Sequence, residues 1–115
     1  MNKTILLFLL FLFIPFTSYS QTLSDTDAKT QVDRYLRAQS SFRLGQLYFE
    51  DEIFNNAIVD FTKSIKLNPE HADSFYYRGL AKDDIGYNNG TCSDCESASS
   101  LGNIDASELV REKCD

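Results

Sequence analysis

The sequence lacks any stretch in which apolar and polar residues alternate strictly over a strand length. That removes the main signature of a half-buried sheet and points to an all-α protein with short turns. It has one histidine, His71, which stands beside Glu70 with no nucleophile or base assembled next to it in sequence, so it reads as a turn residue. It has no glycine-rich loop of the kind that cradles phosphate. It also lacks a basic excess. Asp and Glu number 17 against 11 Lys and Arg, for a net charge of −6, which argues against nucleic acid and anionic membrane as partners. The acidic pairs Asp51-Glu52 and Asp83-Asp84 read as solvated helix ends. Nothing in the chain calls for a cofactor or a metal, and the expectation is a non-enzymatic protein.

Long apolar runs are missing too, with one exception. Ile5 to Phe16 is apolar throughout, interrupted only by Pro15, and Lys3 precedes it. The run is well short of the ~20 residues that span a bilayer. Thr17, Ser18, Tyr19 and Ser20 follow. A positive start, a short apolar centre and a small-residue exit predict a signal peptide over residues 1–20, cut between Ser20 and Gln21. The alternative is an uncleaved anchor. No cysteine adjoins the cut, which argues against a lipid-anchored form. The expectation is therefore export to a periplasm or the outside, with no membrane insertion after cleavage. The remainder suits one small domain with a thin core.

Residues 21–29 are polar and aperiodic and read as a flexible lead-in. Asp25 to Arg37 reads as an N-terminal helix, with Val32 and Leu36 on one face and Ser24 or Asp25 as cap. Ala38 to Asp51 is rich in large apolar residues. In Phe54 to Leu67, Ala57, Phe61 and Ile65 recur every fourth position. Asn68-Pro69 ends that helix, because proline disfavours helical geometry in the residue before it. Ala72 to Ile85 is a further helix closed by Gly86. Thr91 to Ser100 is a weaker one, and Asp105 caps a last short helix through Leu109 and Val110. Asn89-Gly90-Thr91 matches a glycosylation sequon and equally reads as an inter-helix turn.

Gly45 and Gly79 lie 34 residues apart, and each stands in a similar helix-turn-helix. In the first unit Leu44, Gly45, Tyr48, Ala57, Phe61 and Pro69 come in order. That set resembles the tetratricopeptide repeat, apart from Ser41 at the aromatic position and Ser64 at a small one. The resemblance implies that Gly45 and Ala57 are small where two helices cross, that Tyr48 and Phe61 fill the space beside the crossing, and that Pro69 aims the chain into the next unit. In the second unit Phe75, Gly79 and Ala98 hold their positions, while Lys82, Thr91 and Cys95 depart. The implied architecture is an α-solenoid with repeat 1 over 38–71, a degenerate repeat 2 over 72–103 and a capping helix over 104–115, behind the N-terminal segment 21–37. Gly90-Thr91-Cys92, Leu101-Gly102 and Lys113-Cys114 also resemble the tail of small exported bacterial repeat proteins.

Three cysteines admit three readings. Cys92 and Cys114 would adjoin if the last two helices pack antiparallel, and a disulfide there adds about 3 kcal/mol. Cys92-Ser93-Asp94-Cys95 reads as a redox pair on the second, but no βαβ pattern surrounds it, and Glu96 stands where c-type haem attachment needs histidine. Zinc held by the cysteines and His71 fits no familiar spacing. Cys95 then reads as a buried filler.

The resemblance places a concave face on the first helix of each unit. Carried across, it comprises Gln39, Phe42, Gln46 and Phe49, then Asp73, Tyr76, Leu80 and Asp83. This is an aromatic groove rimmed by acid, without the basic clamp that family members use for a C-terminal carboxylate. A basic or amphipathic peptide fits it by charge. Alternatively Val32 to Arg37 folds over Phe42 and Phe49 and closes it. The functional expectation is an adaptor or scaffold for a protein or peptide. Self-association into a structural repeat array is the alternative, and a Cys92/Cys95 thiol oxidoreductase the third.

Overall fold

The computed structural model describes residues 3–114, with side chains from Ser24 onward. All regular structure among the described residues is helical: α1 (Lys3–Glu50), α2 (Phe54–Leu67), α3 (Ala72–Asp84), α4 (Asn88–Ser100) and α5 (Ile104–Lys113). The chain divides into two units, residues 1–33 and 34–115. In the first, every described side chain from Ser24 to Asp33 is exposed. The second holds the core. The expected signal peptide and its cut at Ser20 fall outside the residues whose side chains are described.

The N-terminal expectations need correction. Residues 21–29 are helical rather than a flexible lead-in, and Ser24 and Asp25 lie inside α1 rather than at its start. The two helices expected over Asp25–Arg37 and Ala38–Asp51 are one. No proline or glycine stands between Gln21 and Leu44 to stop it.

Two turns are built alike. After α1, the Ile53 N–H donates to the Tyr48 carbonyl at 2.8 Å and Glu52 to Phe49 at 3.1 Å. After α3, Tyr87 donates to Lys82 at 2.8 Å and Gly86 to Asp83 at 2.9 Å. Glu52 and Gly86 both take left-handed backbone, with φ of 60° and 80°. The next residues, Ile53 (φ −93°, ψ 66°) and Tyr87 (φ −92°, ψ 71°), lead into α2 and α4. Because Tyr87 launches the helix, α4 starts at Asn88 and not at Thr91. Cys92 is therefore inside α4 rather than at its start.

The other two starts use side-chain caps. His71 Nδ1 accepts from the Ser74 N–H at 3.2 Å, and Asn103 Oδ1 accepts from the Ala106 N–H at 2.8 Å. The cap of α5 is thus Asn103, not Asp105. Asp105 lies in the first turn, where the helix dipole favours an acid.

Two clusters form the core. Phe42, Ala57, Phe61 and Ala81 make the first, with Tyr48, Phe49, Phe54, Ile58 and Tyr77 packed on it. Cys95, Ala98 and Ala106 make the second, under Phe75, Tyr76, Leu109 and Val110. Each of two glycines permits a helix crossing. A Cβ on Gly45 would lie 2.6 Å from the Phe61 ring, and one on Gly79 would lie 2.9 Å from Cys95 Sγ. Ser64 is fully buried, and its Oγ lies 2.9 Å from that of Ser74. Leu44 is 43% exposed, and Pro69 is exposed just after the end of α2.

Candidate partner-binding face

Phe42 is only 9% exposed. Its ring centroid lies 5.8 Å from that of Phe61, 5.7 Å from Tyr77 and 4.7 Å from His71, so it belongs to the core. Phe49 is half-buried against Phe54 and Tyr77, at 5.5 and 5.9 Å. Gln39, Gln46, Tyr76 and Leu80 are half-buried. Tyr76 packs edge-on to Tyr77 at 5.6 Å. Burial, and then the charge of Asp105, hold its phenol above the ordinary pKa. Tyr77, which the sequence reading did not single out, joins these side chains: it touches Phe42, Phe49, Phe61 and Tyr76. The segment Val32 to Arg37 lies in α1 itself, with no turn before Phe42, so it does not form a separate covering helix.

The acid rim has neighbours in the C-terminal segment. Asp83 pairs with Lys113 at 2.6 Å, and Asp73 accepts from Asn103 Nδ2 at 2.9 Å. The Lys113 ammonium is raised in pKa, first by its hydrogen bond to Asp83 and then by the same carboxylate's charge. Two of the acids expected to meet a partner therefore also fasten α5 and its cap. A pocket of about 310 Å³ lies beside them, lined by Asp83, Asn88, Thr91, Cys92 and Lys113.

Cys92 and Cys114 are joined, with Cα atoms 5.6 Å apart, which ties α4 to the end of α5. Cys95 is fully buried and free. Burial, reinforced by Asp94 and Asp83, pushes its thiol up to about 11, so it stays protonated and unreactive at neutral pH. Among the described residues no group of His, Cys, Asp and Glu side chains converges to hold a metal.

The densest electrostatic feature was not legible beforehand. Asp94 is 3% exposed and receives a bidentate contact from Arg78, at 2.8 Å from Nε and 2.6 Å from Nη2. Lys82 Nζ lies 2.8 Å from the same carboxylate. Arg78 Nη1 donates to Thr62 Oγ1 on α2 at 3.1 Å, and its guanidinium lies over the Phe75 ring. The cluster joins α2, α3 and α4. With Asp94 enclosed and both cations engaged, it locks these helices together. His71, Ser74 and Ser64 form a second polar chain, but Ser74 is fully buried and the group caps α3.

Among the described residues no helix is long and apolar enough to cross a membrane. No protein-family model and no curated protein matches the chain.

Proposed function

We propose that the chain is a small exported, tetratricopeptide-type protein that holds another protein or peptide and carries out no reaction. The observation that carries this reading is a shared step in the geometry of its two helix pairs. Gly45 meets Phe61 and Gly79 meets Cys95, in each case the residue sixteen positions on. The left-handed residues Glu52 and Gly86, and the turn bonds beside them, recur at the same 34-residue interval as the glycines. Export is supported by the apolar N-terminal run and by the Cys92–Cys114 bond, which persists in oxidising compartments.

The partner surface on this reading runs from Phe49 and Gln46 to Tyr76, Leu80 and Asp83, with Phe42 as its buried floor. An apolar peptide with basic residues suits it. The test is saturable binding of such peptides to the full chain. Phe49→Ala and Tyr76→Ala should each weaken binding several-fold while the helical signal persists, and a loss in neither variant counts against the surface. Thiol–disulfide exchange is the poorer reading, because Cys92 is bonded to Cys114 and Cys95 is enclosed. Catalysed insulin reduction would revive it.

A further inference from the structure

Leu44 and Leu47 point to a different side of α1 from Phe42 and Phe49, and they are 43% and 58% exposed. Ser40, one turn before Leu44, is exposed as well. One 34-residue step on, the corresponding positions of α3 are Ser74, Arg78 and Ala81. There Ser74 and Ala81 are buried and Arg78 reaches across to Thr62 of α2. The same face of a helix is therefore covered in α3 and open in α1. Beside the open face, α1 and α2 border a shallow, open depression of about 500 Å³ lined by Arg37, Ser40, Ser41, Lys63, Lys66 and Leu67. Three cationic residues line it; Lys63 is paired with Asp60 at 3.4 Å, and Lys66 is exposed at the end of α2, in a chain of net charge −6. At the C-terminal end of α1, Glu50 and the following Asp51 are exposed.

We infer that this face docks a second copy of the chain, the two α1 helices running antiparallel about a two-fold axis near Leu44. Charge decides the occupant and the direction. The acidic Glu50–Asp51 end of one copy meets the exposed Lys66 at the C-terminal end of α2 of the other twice over, so Asp51 of each copy approaches Lys66 of its mate. The negative end of the α1 dipole lies near the same lysine. A parallel pair would set like charges side by side. Leu47 of each copy falls over the Ser40–Ser41 step of the other, where small side chains leave room for it. The patch is self-complementary, as a two-fold interface requires. It is also small, so the dimer is a weak, micromolar one. The inference goes beyond the peptide-binding reading and does not use Tyr76 or Asp83.

The test is sedimentation of the full chain over a wide concentration range. A monomer–dimer equilibrium that salt weakens is expected. Lys66→Glu and Asp51→Lys, both at exposed positions, should each raise the dissociation constant about tenfold. The chain carrying both should regain the parent value, because the reversed charges again face each other. A constant monomer mass, a mass that grows without limit, or a double variant as weak as its parents overturns the proposal. So does association indifferent to both charges, which would place the contact in the apolar run Ile5 to Phe16.

Discussion

Asp94 shows what a single residue can decide in this protein. Two cations from α3 converge on one enclosed carboxylate, so removing it strands both of them in a partly buried site. Asp94→Ala should cost about 3–5 kcal/mol, the usual result of breaking a buried ion pair from one side, measured by urea unfolding. Replacing Lys82 by Met should cost much less, because the bidentate Arg78 contact remains. Nothing local in the sequence marks this cluster. Arg78 and Asp94 are sixteen positions apart and belong to different helices, and the Cys-x-x-Cys spacing around Asp94 says nothing of its cationic partners. The glycines were legible for the opposite reason. A residue without a Cβ at a fixed interval has few uses inside a helix, and a close crossing is the main one. Gly45→Ala would press a methyl group into the Phe61 ring, which is itself fully buried, and should destabilise by about 1–3 kcal/mol. Glu52 gives the reverse case. It adopts the left-handed backbone that Gly86 adopts in the matching turn, but at a steric cost of about 1 kcal/mol. Glu52→Gly should therefore raise the melting temperature slightly, and Gly86→Ala should lower it.

At the scale of elements, the helices with strong apolar spacing or clear stop signals were the ones anticipated. α2 ends at Leu67 before Asn68-Pro69, and α3 ends one residue short of Ile85. The errors lie where no side chain carries the signal. α4 starts early because the turn at Gly86 and Tyr87 sets the backbone, not because a capping residue stands there. α1 is continuous across residues 21–44 because no proline or glycine stands there, and a polar aperiodic stretch looks the same whether it is helix or coil. Of the expected partner face, Phe49, Tyr76 and Leu80 are half-exposed, while Phe42 is core. Helical periodicity alone does not separate these two fates, since the difference depends on Tyr77 and His71 arriving from another element. The last helix depends on a covalent tie. α5 buries Ala106 and sets Leu109 and Val110 against the second cluster, which is a small contact for a ten-residue helix. The Cys92–Cys114 bond closes a loop of sequence separation 22, worth about 3 kcal/mol in chain entropy. With both cysteines changed to serine, hydrogen exchange should accelerate across α5 while amides of α2 keep their protection. Equal acceleration in both would mean that the bond stabilises the fold as a whole.

Over the whole molecule, three groups make stability depend on alkaline pH in the same direction. Cys95 and Tyr76 are acids whose neutral forms are favoured by the fold, the first with its pKa moved from 9 to about 11 and the second shifted upward from 10. Lys113 is a base whose charged form is favoured by Asp83, again an upward shift. In the unfolded chain each releases its proton at a lower pH than in the folded one. Where the unfolded state binds fewer protons, stability falls as pH rises. The Cys95 contribution is therefore intact below about pH 9 and fades toward about 11, while those of Tyr76 and Lys113 are lost as pH rises above the ordinary values of 10.0 and 10.5. These groups sit together, because Tyr76 and Cys95 lie in the second cluster and Lys113 closes α5 over it. The loss should consequently appear first in the C-terminal helices. Chemical denaturation from pH 7 to 11 should show a falling midpoint, and Cys95→Ala should flatten that slope while lowering stability at pH 7. A Cys95→Ala chain with an unchanged slope would show that the thiol is not the group responsible. The alkaline loss would then fall to Tyr76 and the Lys113–Asp83 pair, which Tyr76→Phe and Lys113→Met would separate.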